Sequence, residues 1–297
     1  MSWRRFLVFS FAIGLTGATY GQANILNADS PEEIGMKSEA KKLVEMNDKP
    51  LEYGYVGDRD VLWSKNVWEI IDLDERVNFP YYYPIDTNNI GNNRRSLYDV
   101  LVSSIKNGKI KNIYADSYFN EKRTLNDIRA TLSKIDTTDL GIEQYNAGEE
   151  VDQQFIDRRD LGSADIAEYH IRGMWYFDKM QGELRYRLLG IAPVAPDVNF
   201  IDSGQTDLVE LFWVFYPDAR EVLHEAKAFN GANTAMSLSF DHLLNSRRFD
   251  GLIYKEDNVQ GDREVDEYIS ENAFMQLLES QRIEEQIRNF EQDMWNY

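Results

Sequence analysis

The sequence predicts an α+β protein: a mainly antiparallel sheet with packed helices, arranged in two lobes and closed by a long C-terminal helix. Three observations predict it. Residues 167–191 alternate apolar and polar side chains on either side of Met180-Gln181-Gly182, the pattern of a β-hairpin. Val61–Asp72 and Leu208–Tyr216 are apolar on both alternation classes, as in strands covered on both faces, and helical stretches separate them. Residues 271–297 carry apolar groups at spacings of three and four, the period of one helix face.

The chain has 297 residues, enough to bury a sizeable core, and its 43% hydrophobic and 13% aromatic content argues against disorder. Its start reads as a leader. Arg4 and Arg5 precede an apolar run from Phe6 to Leu15 and a small-residue tail, Thr16–Gly21, the layout of a secretory signal peptide over residues 1–21. Residues 22–57 are polar and read as an N-terminal arm, with one short helix at Ser38–Met46. There is no cysteine, which excludes a lipoprotein acylated on cysteine, disulfides and thiolate metal sites. No later stretch offers the ~18 consecutive apolar residues of a membrane span, so direct membrane insertion is not expected. A net charge of −19 repels phosphate backbones, so nucleic acid is not an expected partner.

The first α/β lobe is expected over residues 58–135. Val61–Asp72 is its strand. Asp72 and Glu75, spaced to cap a short turn, are followed by Pro80, which would stop it. Ser96 caps a helix to about Asn107, with Leu97, Val100, Leu101 and Ile105 inward and Gly108 ending it. Lys109–Tyr114 is a short strand. Thr124 and Asp127 form a capping pair for a helix through Ile135, with Leu125, Ile128, Leu132 and Ile135 on one face. Residues 136–165 are acidic and poor in large apolar groups, the composition of a partly ordered connection.

The second α+β lobe spans 166–270. After the hairpin comes Leu208–Tyr216, a single central strand. Pro217 opens a helix ended by Gly231, with Val222, Leu223, Ala226 and Phe229 inward. Ser237 caps a second helix, Leu238–Arg247, and Leu252–Tyr254 is a short strand. Trp63, Trp68, Trp175 and Trp213 are expected to be largely buried. In the final helix, residues 271–297, Phe274, Leu277 and Leu278 form a proximal patch expected to pack on the chain's own body. Ile283, Ile287, Phe290 and Met294 continue at spacings of four, three and four, closed by Trp295, and reach past what a small lobe needs; this distal stripe is the candidate partner-binding surface.

Chemistry finds little support. His170, His224 and His242 lie far apart without metal-ligand spacing, so neither a metal nor a cofactor is expected. Asp202–Asp207 and Asp257–Glu264 resemble calcium loops faintly but lack alternating ligands with a distal glutamate, and read as turns. Asp72, Asp74 and Glu75 could supply half of a glycosidase carboxylate pair, although capping explains the cluster equally. No nucleophile elbow, phosphate loop or dinucleotide fingerprint occurs, and no catalytic residue is assigned.

The long strings DKPLEYGYVGDRDVLWSKNVWEIIDLDERVNFPYYYPIDTNNIGNNRRSLYDVL, WYFDKMQGELRYRLLGIAPVAPDV, LFWVFYPDAREVL and FDGLIYKEDN closely resemble the GldN/PorN family of gliding-motility and type IX secretion proteins of Bacteroidota. The resemblance covers nearly the whole chain after the leader. It implies a non-enzymatic structural subunit in the periplasm, held at the outer membrane through the lipoprotein GldK/PorK. With that lipoprotein it would form a ring by self-association, in contact with the periplasmic part of the GldM/PorM motor. The competing reading, from the carboxylates and aromatics, is a periplasmic polysaccharide-binding or glycan-hydrolysing protein.

Overall fold

The computed structural model describes residues 48–86, 94–148, 152–199, 207–231, 233, 238–270 and 272–295. The expected leader, most of the expected N-terminal arm and nearly all of the loop Asp202–Asp207 lie outside them. Pro50–Tyr297 forms one compact unit.

The architecture is α+β. A mixed-length sheet of antiparallel pairs runs in the order β11-β1-β5-β6-β8-β2, with β7 also on β6. Its members are β1 (Val61–Asp72), β2 (Ile113–Tyr114), β5 (Glu168–Asp178), β6 (Glu183–Pro196), β7 (Leu208–Glu210), β8 (Trp213–Phe215) and β11 (Leu252–Glu256). The centre is the expected hairpin: β5 and β6 pair from Glu168↔Val194 to Asp178↔Glu183, and Gly182, at φ +68°, makes the turn possible. β1 then lies along the whole of β5, from Val61↔Asp178 to Asp72↔Glu168. Strands from both anticipated lobes thus share this one sheet.

Pleating sorts the core. On one face, Ile71, Tyr169, Ile171, Leu188, Ile191 and Val214 meet helices α1 (Phe79–Tyr82), α2 (Leu97–Lys106), α5 (Tyr216–Glu225) and α6 (Phe240–Asn245). On the same face, towards β11, Val67, Ile253 and Val265 meet the last helix. Trp68, Ala192 and Trp213 form a third cluster, closed over by Tyr114, Phe119 and Tyr254. Trp68 and Trp213 are fully buried; Trp63 and Trp175 are partly so.

Local signals built several elements as expected. Ser96 accepts the Asp99 N–H at 3.2 Å and starts α2, and Gly108 at φ +70° follows its end. Thr124 and Asp127 form a reciprocal capping box on α3 (Leu125–Leu132). Pro217 sits in the first turn of α5.

Other expectations fail for identifiable reasons. Pro80 does not stop a turn; it lies in the first turn of α1, where its missing N–H costs nothing. Asp72 caps no helix: its Oδ1 accepts the Asp74 N–H at 2.8 Å, an Asx turn. Helix α3 ends at Leu132, because Leu132 O accepts the Leu161 N–H at 2.8 Å and the chain turns outward; Ile135 is 61% exposed. Residues 136–165, expected as a partly ordered connection, carry secondary structure of their own. They supply most of a two-stranded ribbon, β3 (Ser133–Thr137) with β4 (Ile156–Asp160), and helix α4 (Asp139–Asn146) at its tip. Leu208–Tyr216 breaks into β7 and β8 around buried Leu211 and Phe212, so its two-faced apolarity comes from a bend filled by core. Helix α5 ends at Glu225 and leads into β9 (Lys227–Ala228), leaving Phe229 42% exposed. The next helix is capped by Ser239, since Leu238–Ser239 is β10, paired with β9; Ser237 lies outside the described residues. A short helix, α7 (Val265–Tyr268), precedes α8 (Ala273–Trp295).

Candidate functional site

Helix α8 reverses the expectation for its two halves. Ile283 and Ile287 are 0% and 4% exposed, packed with Val67, Ile253 and Val265 of their own chain. Phe290 stacks on Trp63 with ring centroids 4.6 Å apart and meets Phe177 edge-on. Ser280 Oγ accepts the Ile253 N–H at 3.0 Å, which satisfies a donor on the sheet's edge strand. The distal stripe is therefore core, and Met294 continues it half-buried; the side chain of Trp295 lies outside the described residues. The proximal patch is the free surface: Phe274 is 66% exposed, with Met275, Leu277 and Leu278 beside it also exposed. The reason is length, since the sheet beneath α8 serves only its distal part.

Beneath α8 sits an ion pair that no local pattern signalled, its carboxylate fully buried and its arginine side chain 29% exposed. Glu69 of β1, itself 0% exposed, receives two parallel bonds from Arg247, Nη1 to Oε1 at 2.8 Å and Nη2 to Oε2 at 2.7 Å. The guanidinium also lies over Tyr186, Trp175 and Phe249, at 4.3, 5.1 and 5.0 Å. Burial alone would lower the pKa of Arg247, but Glu69 outweighs it and the net shift is upward. Gly173 makes room for this packing: a Cβ there would lie 2.1 Å from the Tyr186 hydroxyl.

The arrangement most like a catalytic one belongs to His170. Its Nδ1 lies 2.7 Å from Glu210 and its Nε2 3.0 Å from Glu168, while Glu210 also accepts the Trp213 indole N–H at 2.6 Å. Burial pushes the imidazole towards neutrality, but the two carboxylates prevail and raise its pKa to about 9. A doubly hydrogen-bonded imidazolium has no lone pair to act as a base. It clamps β5 to β7. His224 and His242 lie instead along a cleft elsewhere.

Asp72, the last residue of β1, and Asp74 and Glu75 just after it are exposed. Asp72 is spent on its turn, and Glu75 Oε2 lies 3.4 Å from the Asn78 amide. Partial burial, Asp250 and Asp72 raise the Glu75 pKa. In the loop after β11, Asp257 accepts from Asn66, and Asp262 accepts from Tyr118 and the Asn258 N–H, so these carboxylates serve protein donors. Among the described residues no cluster could hold a metal ion, and no helix is long and apolar enough to cross a membrane.

One cleft, of about 410 Å³, is lined by Tyr53, Tyr176, Arg185, Arg187, Arg220 and Asp241 among others. Arg220 is neutralised by Asp241 (Nε–Oδ1 2.9 Å) and also donates to Leu51 O at 2.6 Å. The Tyr53 ring lies between Arg220 and Arg187, at 4.0 and 4.7 Å. Arg187 donates to Gly54 O at 3.1 Å. No carboxylate of the described residues forms an ion pair with Arg187.

Fold and surface together define an α+β protein with the ion pair Glu69–Arg247 under its last helix, an exposed apolar patch at the start of α8 and a cleft lined by arginine and tyrosine. Residues 56–296 match the family described as gliding motility associated protein GldN. The chain belongs to that family, and its role is associated with gliding motility. Curated proteins yield no match.

Proposed function

We propose that the chain is a non-enzymatic structural subunit of the type IX secretion machinery on which gliding depends. It is exported to the periplasm by its leader and is held at the outer membrane by a lipoprotein of the GldK/PorK kind. With that lipoprotein it builds a ring, and the ring meets the periplasmic part of a GldM/PorM motor. The observation that carries this reading is the family match over residues 56–296. Two further features support it. The carboxylates and the histidine most suggestive of catalysis are engaged by protein partners. The proximal patch of α8 leaves four neighbouring apolar side chains, Phe274, Met275, Leu277 and Leu278, open to a partner.

The test is recovery of the tagged chain from periplasmic and outer-membrane fractions. An outer-membrane lipoprotein should co-purify in near-equal amount, and Leu277→Ser with Leu278→Ser should weaken that association. Recovery of glycan without lipoprotein would contradict the reading and favour a polysaccharide-binding protein.

A further inference from the structure

Residues 133–160 leave the body at Leu132 and return at Leu161, both buried and joined by a 2.8 Å backbone hydrogen bond. Between these points every residue of β4, and Ile135 to Thr137 of β3, is exposed. A two-stranded ribbon open on both faces is marginal on its own in water. It also displays apolar groups: Ile135 (61% exposed) on the ribbon, and Leu140, Ile142 and Tyr145 (58%, 46% and 74%) on α4. Residues 133–160 contain eight acidic and three basic side chains. Lys134 and Arg158 are already paired with Asp136 and Asp160, which leaves acids such as Glu143 and Asp157 in excess.

The cleft around Tyr53 is the opposite kind of surface. In a chain of net charge −19 it gathers Arg185, Arg187 and Arg220 against the carboxylates Glu52 and Asp241, with tyrosine rings beside them. Asp241 satisfies Arg220, and Arg185 reaches only the exposed Glu183 at 3.2 Å, but Arg187 meets a carbonyl and two tyrosines. The projecting acidic element and the basic aromatic cleft use different residues, so one copy can offer both at once.

We propose that the excursion of one copy docks its acidic tip, helix α4, in the arginine cleft of a second copy, making a head-to-tail contact between copies of this chain. Unlike surfaces repeated head to tail close into rings or extend as filaments, whereas a twofold contact stops at a dimer. The inference rests on the reading of the chain as a ring subunit and names the surfaces that join neighbours. Tyr145 and Leu140 would cover the apolar edges of the cleft, and Glu143 would answer Arg187.

The chain has no cysteine, so engineered disulfides are specific. A copy carrying Tyr145→Cys is mixed with a copy carrying Arg185→Cys, with and without the lipoprotein, under mild oxidation. The expected result is a 145–185 heterodimer far in excess of either homodimer. Glu143→Arg, at an exposed position, should weaken self-association about tenfold or more in sedimentation, and Arg187→Glu in the opposing copy should restore it. Assembly that proceeds without the cross-link, or that ignores Glu143→Arg, would overturn the proposed contact and leave the ring reading standing. Chains that stay monomeric with and without the lipoprotein would overturn both.

Discussion

Along α8, Phe274, Leu277 and Leu278 near the start and Ile283, Ile287 and Phe290 further on carry the same helical spacing of apolar side chains. Ile283 and Ile287 are buried in their own chain, and Phe290 stacks on Trp63. The first three stay 40–66% exposed. What separates the halves is what lies under them. Beneath the distal half are β1, β11 and the Glu69–Arg247 pair, whereas the proximal half meets the short α7 region through polar bonds such as Gln276 Nε2 to Ile269 O at 2.8 Å. A hydrophobic stripe reports that a helix face is apolar; the neighbour that covers it is a property of the whole fold.

The contrast can be broken by mutation. The largest effect is expected for Ile283→Ala with Ile287→Ala, at roughly 2–5 kcal/mol each, read as a lower melting temperature and denaturant midpoint. Next comes Glu69→Gln, which leaves Arg247 without its carboxylate beneath the same half; breaking a fully buried pair costs about 3–5 kcal/mol, and with Arg247 29% exposed the loss should fall near or below the lower end, measured by urea unfolding. A Glu69→Gln protein that melts unchanged would show that the pair does not anchor the helix.

The histidine clamp gives a smaller, pH-dependent effect. His170 has its pKa raised from 6.5 to about 9, so its contribution to stability is complete below pH 6.5 and is lost as pH rises through about 9. The loss should be on the order of 2–3 kcal/mol, seen in unfolding midpoints at pH 6 and pH 9.5, and His170→Gln should flatten that dependence. Ser96→Ala removes the α2 cap and should cost about 1 kcal/mol. The smallest effect belongs to the proximal patch. Leu277→Ser with Leu278→Ser should stay within about 0.5 kcal/mol of the parent for each change, as surface substitutions do.

Elements governed by short-range signals were legible. The hairpin has alternation and a glycine turn, β1 has its aromatic run, and Ser96 and Thr124 carry their caps in the adjacent residues. The misreadings arose where a distant partner decides. Ile135 fits the helical period of α3, yet the Leu132–Leu161 bond ends that helix three residues earlier. Leu211 and Phe212 read as strand, but they fill a bend against the core. Of the candidate surface, the apolar positions in α8 were visible, while which half was free was inverted. The Glu69–Arg247 pair joins residues 178 apart in sequence and had no local signature, although Gly173 inside a strand marked the close approach that houses it.

Hydrogen exchange along α8 in the dilute chain tests the central contrast without any mutation. Amides of residues 283–290 should exchange slowly, near the rate set by global unfolding, while those of residues 274–278 exchange markedly faster. Fast exchange at 283–290 with protection at 274–278 would contradict the account and return the distal stripe to the surface.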